Sequence, residues 1–306
     1  MKLRIGYLST FYHTSVLMIA KGTLTRYPGL EAEWKLFGTG PAIVSAFKKR
    51  ELDIAYIGLP PAIIGIDSGV NIKCIAGGHV EGTVISSQNQ YKGFPEISSL
   101  QTILKQFIGL KIGVPGKGSI HDVILNDVLR RYHLRKDIEV MNFQWADQVL
   151  EAMHRGEVSA VVGTPALAAA AKRFAQGRIV YPPFKLWPNN PSYGVVAEQT
   201  FLEREQAAAE RFLEFHEEAA SFLRNSPEDA AGIIADTVGV VDKELVLDAI
   251  SISPKYCACI TDDYIASTME FVKVLKALGY INREIASGEI FDTSLIKKIH
   301  PEMAHY

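Results

Sequence analysis

Leu3-Arg4-Ile5-Gly6-Tyr7-Leu8 leads into Ser9-Thr10-Phe11-Tyr12-His13, and the two segments have the pattern of a short apolar strand followed by a polar loop and a helix. Lys111-Ile112-Gly113-Val114, followed by Pro115-Gly116-Lys117-Gly118-Ser119, repeats that pattern about a hundred residues later. Each segment places backbone N–H groups and hydroxyls at the carboxyl end of a strand, where open α/β sheets bind ligands. The repetition therefore predicts two α/β lobes that face one cleft.

Composition sets the outer limits on fold and partners. The 306 residues are 48% hydrophobic and 22% charged, which is typical of a soluble globular protein with about two domains. A formal charge of -2 gives no electrostatic case for binding nucleic acid or an anionic membrane surface. No apolar run approaches the roughly 20 residues that cross a bilayer, so we expect no membrane insertion.

The amino terminus bears on localisation. It is taken up by the first predicted strand, and the apolar stretch from Val16 to Ala20 is too short for the core of an export segment and continues into Lys21. We expect a periplasmic or otherwise extracytoplasmic protein if an export segment has been removed, and a cytoplasmic protein if not.

Alternating strands and helices organise both lobes. Short strands without clean alternation, separated by helices, predict a mixed, mostly parallel sheet covered by helices in each lobe. We expect the first lobe to comprise residues 1–87 plus 194–306, the second lobe to comprise 88–193, and two crossover strands to form the hinge. Predicted strands are 3–8, 30–37, 53–57, 72–76, 83–86, 111–114, 138–143, 158–162 and 193–197; predicted helices include 14–26, 119–132, 146–154, 165–175, 199–223, 227–236, 242–250 and 262–277.

Candidate ligand-binding residues follow the strands of both lobes. They offer hydroxyls, ring nitrogens, aromatic faces or backbone that a ligand can approach closely. Some hydroxyls would serve equally well as helix caps, and Trp145 would serve equally well in packing, so those alternatives stay open. The candidates are Ser9, Thr10, Tyr12, His13, Thr39, Gly40, Gly58, Leu59 and His79 in the first lobe, and Gly118, Ser119, His121, Trp145, Thr164 and Tyr193 in or next to the second.

The charge of the ligand is harder to derive. Helix amino termini favour an anionic group, but Lys117 is the only clear cation in a predicted cleft loop. Because aromatic rings and histidines dominate the candidates, we expect a neutral or weakly charged planar organic molecule rather than a bare inorganic anion.

Cysteine and histidine patterns give no case for a metal, a cofactor or catalysis. Cys74, Cys257 and Cys259 are too few for a disulfide framework, and Cys-Ala-Cys is one residue short of the Cys-x-x-Cys spacing. No nucleophile elbow or paired metal-binding histidines are present. The remaining histidines are expected mostly at the surface, namely His133, His154, His216, His300 and His305.

The order and spacing of several short motifs resemble the solute-binding proteins of the type II periplasmic-binding-protein fold, in the nitrate, taurine and thiamine-precursor group. The resemblance covers nearly the whole chain, although no single motif is diagnostic. The motifs are Ile5-Gly6-Tyr7-Leu8, Gly38-Thr39-Gly40, Leu52-Asp53-Ile54-Ala55-Tyr56-Ile57-Gly58, Gly109-Leu110-Lys111-Ile112-Gly113-Val114-Pro115, Val149-Leu150-Glu151-Ala152-Met153, Ser253-Pro254-Lys255-Tyr256 and Gly279-Tyr280-Ile281.

The resemblance implies reversible capture of a small solute by closure of two lobes, for delivery to an ABC permease, by a monomer that is not an enzyme. One alternative is an enzyme or ligand sensor on the same fold, because fungal thiamine-pyrimidine synthases carry a histidine in the loop after the first strand and Tyr12-His13 is similar. Those enzymes also carry a cysteine-rich iron-associated motif, and this chain has nothing comparable beyond Cys257-Ala258-Cys259. A cytoplasmic enzyme of the menaquinone type is a further alternative.

Overall fold

The strands of the computed structural model, which describes residues 2–26 and 29–306, form two separate five-stranded sheets. The first has the order β2-β1-β3-β10-β4 and the second β7-β6-β8-β5-β9. The strands are β1 (Lys2–Leu8), β2 (Glu31–Phe37), β3 (Ile54–Ile57), β4 (Ile72–Val80), β5 (Val84–Gln88), β6 (Lys111–Pro115), β7 (Glu139–Phe143), β8 (Ala160–Gly163), β9 (Gly177–Tyr181) and β10 (Pro191–Glu198).

Helices connect and cover these strands. A short 3-10 turn (Thr23–Arg26) follows the first helix. The helices are α1 (Thr14–Ala20), α2 (Gly40–Lys48), α3 (Leu59–Asp67), α4 (Leu100–Lys105), α5 (Ile120–Arg131), α6 (Ala146–His154), α7 (Pro165–Phe174), α8 (Pro183–Leu186), α9 (Gln199–Arg204), α10 (Gln206–Asn225), α11 (Pro227–Val238), α12 (Lys243–Ile252), α13 (Asp262–Leu278), α14 (Ser287–Ile290) and α15 (Ser294–Ile299).

The two sheets repeat one topology. In the first sheet β1 pairs in parallel with β2 and β3, and in the second β6 pairs in parallel with β7 and β8. An antiparallel strand from the other half of the chain is inserted next to each parallel trio: β10 lies between β3 and β4, and β5 between β8 and β9. Because parallel strands end at the same edge of a sheet, the loops after each trio lie together.

The chain passes between the sheets twice, and the two passages run side by side. Residues 81–83 join β4 to β5, and residues 182–190 join β9 to β10. The backbone N–H of Glu81 donates to Asn190 O at 2.8 Å, and Glu81 Oε1 accepts from Asn189 N at 3.0 Å. Lys255 Nζ lies 3.0 Å from the other oxygen of this buried carboxylate. The passages are therefore tied to each other at one point.

Several predicted elements differ from the structure. The helix expected over 14–26 ends at Ala20, and Tyr27 and Pro28, the residues expected to end it, lie outside the described residues. The helix expected over 199–223 is divided at Glu205. Five elements of six residues or fewer were not predicted, because so short a segment carries little periodicity; they are α4, β9, α8, α14 and α15.

The core follows from the apolar strands and the helix faces packed on them. Ile5, Ile54 and Tyr56 in the first sheet and Ile112 and Val162 in the second have no solvent-exposed surface. Within the described ranges, every helix is too short or too polar to cross a membrane. The predicted architecture of two mixed sheets flanked by helices is confirmed.

Candidate ligand-binding cleft

The carboxyl ends of the parallel strands of both sheets enclose a narrow cavity of about 50 Å³. The first sheet supplies the loops after β1, β2 and β3, and the second supplies the loops after β6, β7 and β8. Ser192 of β10 lines the cavity between the two sets. The lining residues are Leu8, Ser9, Thr10, Tyr12, His13, Gly38, Thr39, Gly40, Gly58, Pro61, Pro115, Ser119, Ile120, His121, Ala146, Thr164 and Ser192.

Helices of nine or more residues begin at this cavity from both sides. They are α2, α3, α5, α6 and α7, and each contributes its N-cap residue or first residue to the lining. The first backbone N–H groups of a helix have no acceptor within the helix, and the helix dipole places partial positive charge at that end. The partially positive ends of five helices therefore face the cavity, although prolines in the first turns of α2, α3 and α7 remove some of the N–H donors.

Hydroxyls at three of these helix starts act as caps, so the capping alternative is observed for them. Thr39 Oγ1 accepts from Ala42 N at 3.4 Å, and Thr164 Oγ1 accepts from Leu167 N at 3.1 Å. Ser119 Oγ accepts from Asp122 N at 3.3 Å and donates to Pro115 O at 2.6 Å. The Ser119 hydroxyl is consequently nearly saturated.

Ser9 and Thr10 differ from these caps. Within the described part of the chain, the hydroxyls of Ser9 and Thr10 have no hydrogen-bond partner, and both residues line the cavity. Ser9 is exposed and Thr10 is buried. Their hydroxyls are free to bind a ligand.

No Asp, Glu, Lys or Arg side chain lines the cavity among the described residues. Burial lowers the pKa of His121 to about 3, and burial, reinforced by neighbouring histidines, lowers the pKa of His13 well below its usual range. Both imidazoles are therefore neutral at pH 7. Lys117, the cation expected at this edge, is exposed and outside the lining.

His13 is held between aromatic rings at the start of α1. Its ring centroid lies 3.9 Å from that of Tyr193 and 4.9 Å from that of Tyr12. Tyr193 Oη lies 3.3 Å from both the N and Oγ1 of Thr14, and Thr14 Oγ1 lies 3.1 Å from His216 Nδ1. His13 Nδ1 is buried without a hydrogen-bond partner among the described residues. A fixed imidazole with an unused nitrogen thus lies at the cavity.

A residue of the first passage between the sheets holds the His121 side chain in position. Its Nδ1 lies 3.0 Å from Thr83 Oγ1, and Thr83 has no exposed surface. Ser192 Oγ, on the second crossover strand, accepts from Gly82 N at 2.5 Å. The crossover residues therefore position two cavity-lining side chains.

The two sides of the cleft touch where the loops after β2 and β7 meet. A Cβ built on Gly38 would lie 2.6 Å from Gln144 O and 2.8 Å from Trp145 Cδ2, so only glycine fits there. A Cβ on Gly116, whose φ is +69°, would lie 2.8 Å from Thr39 Cγ2. This close approach explains why the cavity is small.

A second contact joins the far end of α13 to α5. Tyr280 Oη donates to Asp122 Oδ2 at 2.5 Å, and the same oxygen accepts from Gly118 N at 2.8 Å. Asn142 Nδ2 donates to the other oxygen at 2.9 Å. Burial and the nearby carboxylate raise the pKa of Tyr280, which stays a hydrogen-bond donor.

The structure places five predicted residues outside the cavity lining, and each has a physical reason. Leu59 points into the core, and His79 lies behind Tyr12 with its Nε2 donating to Ser253 O at 2.5 Å. Tyr193 supports His13 from behind. Gly118 faces Ile64 and Tyr280, and Trp145 packs on Gly38, so the packing alternative holds for Trp145.

Several residues that support the cavity from a distance in the chain were not predicted. Ser192 stands next to Tyr193, so its place on a crossover strand was the one usable indication. No sequence pattern indicated a role for Thr83 or Thr14, because their partners His121 and His216 are far away in the chain. The expectation of surface histidines is wrong for His216, at 0% exposure, and for His300, at 2%.

Known proteins share this architecture. The ligand-binding component of an ABC-type import system from Staphylococcus aureus, solved with zinc bound, superposes with a TM-score of 0.82 at 18% identity, covering 99% of this chain and 100% of that one. The alkanesulfonate-binding protein SsuA from Xanthomonas axonopodis pv. citri, solved bound to MOPS, gives 0.79 at 16% identity, covering 95% and 98%. These likenesses show a shared fold and confirm the predicted periplasmic-binding-protein architecture.

Sequence comparison gives the family. A Brucella abortus (strain 2308) protein named "Putative binding protein" is 26% identical over 257 residues, which is 80% of this chain and 74% of that protein. The family model described as NMT1-like matches residues 1–238. Since the match spans well over half of the residues, the chain belongs to the NMT1-like family.

Proposed function

We propose that this protein binds a small organic solute reversibly in the cleft between its two sheets and delivers it to an ABC importer. The family, the fold shared with import-system binding proteins and the cavity between the sheets support this function. An extracytoplasmic location and a permease partner follow from the same proposal. In this proposal the protein acts as a monomer. Its chain passes from one lobe to the other within residues 81–83 and 182–190, a few residues before the predicted boundaries.

One observation carries the choice of ligand. Helices α2, α3, α5, α6 and α7 begin at a cavity whose lining has no ionised side chain among the described residues. Helix starts favour anions and hydrogen-bond acceptors, and enclosure of the solute by a closed cleft would strengthen that preference because less water would screen it. We therefore assign the cleft to a solute with a carboxylate, a sulfonate or a similarly acceptor-rich group. This replaces the expectation of a neutral ring, while the aromatic surroundings of His13 still suit an organic body.

The size of the cavity requires lobe movement. About 50 Å³ is well below the roughly 150 Å³ that accommodates benzene. An organic solute therefore enters only when the loops around Gly38 and Gly116 separate from the opposite side. Binding by lobe closure accounts for this geometry, since the same contacts would shut the cleft over the bound solute.

A catalytic alternative rests on His13 alone. Its unpartnered Nδ1 could accept a proton, and the loop resembles that of the thiamine-pyrimidine synthases. Its depressed pKa makes it a weak base, and no carboxylate of the described residues lines the cavity to assist it. The import-system proteins similar to this chain are binding proteins, which favours capture without chemistry.

A paired ligand panel tests the proposal. Thermal unfolding would be measured with carboxylates, sulfonates, nitrate and thiamine pyrimidines, each organic acid beside its neutral amide. At 100 times its dissociation constant, a true ligand adds about 2.7 kcal/mol of stability. We expect an acid to stabilise the protein and its amide to do so much less. A neutral compound that binds as well as its acid would overturn the ligand class.

Substitutions in the cavity lining then test where the ligand binds. Ser9→Ala removes a free cavity hydroxyl and should weaken binding by about 0.5–1.5 kcal/mol without changing the stability of the unliganded protein. Ser98→Ala, an exposed serine outside the lining, serves as the matched control. Native mass spectrometry of the complex should recover the solute unaltered. Recovery of a changed molecule would instead support the enzyme alternative.

A further inference from the structure

Three metal-binding side chains meet at the edge of the first sheet, outside the cleft. Cys257 lies in the segment after α12 that pairs with β4, His300 follows α15, and His305 lies in the carboxyl-terminal segment. Cys257 precedes His300 by 43 residues, whereas His300 and His305 are only five residues apart, so no local motif joins all three. Within the described residues, their ligand atoms form a single compact group.

The distances match those of a tetrahedral zinc site. Cys257 Sγ lies 3.3 Å from His300 Nε2 and 3.6 Å from His305 Nδ1, and the two nitrogens lie 3.2 Å apart. Zinc bonds of about 2.3 Å to sulfur and about 2.05 Å to nitrogen at tetrahedral angles require separations of about 3.6 Å and about 3.4 Å. Each observed distance is therefore within about 0.3 Å of the required value.

The backbone around the cluster holds these donors in place. Cys257 N donates to Gly78 O at 3.2 Å, and His300 N donates to Ile296 O at 2.8 Å. Tyr306 Oη donates to Cys257 O at 2.6 Å, and its ring stacks on Tyr264. A preformed arrangement of this kind lowers the entropy cost of binding an ion.

Two carboxylates lie beside the cluster, and one of them is paired with a guanidinium. Glu217 Oε1 lies 3.9 Å from His300 Nε2, and Arg224 Nη2 fixes that carboxylate at 2.9 Å. His300 Nδ1 is buried without a hydrogen-bond partner among the described residues, and Glu302 lies 3.9 Å away. Metal-bound histidines commonly donate their second N–H to such a carboxylate.

We propose that Cys257, His300 and His305 bind one Zn²⁺-class cation, with water beside Glu217 in the fourth position. A thiolate and two imidazoles are the donor set that zinc accepts. The ion would fasten the carboxyl-terminal segment to the edge of the first sheet. This role is independent of solute capture, because none of the three residues lines the cleft.

Metal titration of the full chain tests the site. Chelator-treated protein would be titrated with Co²⁺, and zinc affinity measured by competition with a chromogenic chelator. We expect one ion per chain, the visible bands of tetrahedral cobalt and a thiolate-to-cobalt charge-transfer band. Absence of the charge-transfer band in the native protein would overturn the proposal.

Variants distinguish this cluster from adventitious binding. His305→Ala should weaken zinc at least about 100-fold, since even residues that only orient metal ligands change affinity 10–100-fold. The His305 side chain is exposed, so this variant tests the site even if Cys257→Ser fails to fold. Cys259→Ser and His133→Ala are matched controls and should leave the affinity unchanged. Equal zinc affinity in His305→Ala and native protein would refute the assignment, as would loss of the charge-transfer band in Cys259→Ser.

Discussion

Gly38→Ala should hold the cleft open. The added Cβ would lie 2.6 Å from Gln144 O, whereas ordinary contact begins at 3.4 Å, so the two sides must separate by about 0.8 Å. The Trp145 ring can turn away, but the Gln144 oxygen belongs to the backbone and moves only with its lobe. A hydrogen bond of about 2.9 Å across the cleft would lengthen to about 3.7 Å and be lost. Loss of two such bonds costs about 1–3 kcal/mol, which weakens solute binding about tenfold to hundredfold.

Two assays measure this effect, and one needs no ligand. Replacing Trp34 and Trp187 with phenylalanine leaves Trp145 as the single indole, whose fluorescence reports its contact with Gly38. Acrylamide should quench Trp145 more strongly in the Gly38→Ala background. Calorimetry with the solute found in the panel then gives the change in dissociation constant.

A matched glycine substitution controls for general effects. Gly232 lies in α11, and a built Cβ would have no described atom within 4 Å other than those of its chain neighbours and its own helix backbone, so Gly232→Ala should leave quenching and affinity unchanged. It should also stabilise the fold by up to about 1 kcal/mol through helix propensity. Native quenching and native affinity in Gly38→Ala would refute the reasoning, because the lobes would then bind solute without this contact.

Two further predictions concern stability. Tyr280→Phe removes the donor to buried Asp122 and should lower the free energy of unfolding by about 1.5–3 kcal/mol in a urea titration; an unchanged midpoint would contradict that contact. Burial lowers the pKa of His79 and His216 to about 4 and of His121 to about 3, against about 6.5 in the unfolded chain. As the pH falls, the unfolded chain therefore binds protons before the folded protein does. The histidines' full contribution to the free energy of unfolding is present above pH 6.5, and it should fall by about 1.4 kcal/mol per histidine per pH unit towards pH 4. His121→Gln should remove one such contribution from the pH slope, and an unaltered slope would argue against a neutral buried His121.

The fold could be predicted because its information is local. The apolar run in β1 and the polar loop after it occur in adjacent residues, and the same is true of β6, so both lobes are visible without any long-range contact. The elements that were not predicted, such as α4 and β9, have short sequences whose structure depends on tertiary neighbours. Strand β9, for example, is positioned by its pairing with β5.

The candidate cleft could be predicted only in part, for a related reason. Loops after strands are visible in sequence, and Ser9, Thr10, His13 and Thr39 do line the cavity. What those side chains do depends on partners far away: the Tyr193 ring lies on His13 from 180 residues away. The proposed zinc site depends most strongly on long-range contacts, since its donors come together only when the carboxyl-terminal segment packs against the edge of the first sheet.

The proposed hinge and the cavity share residues, which would link lobe movement to ligand contact. Thr83 and Gly82 belong to one passage between the sheets, and they hydrogen-bond to His121 and Ser192, which both line the cavity. A rotation about the passages therefore cannot occur without moving polar atoms that would contact the solute. Conversely, a solute that fixes His121 also fixes Thr83. A binding protein needs this kind of coupling, because ligand shifts the lobe equilibrium only by as much as it prefers the closed arrangement.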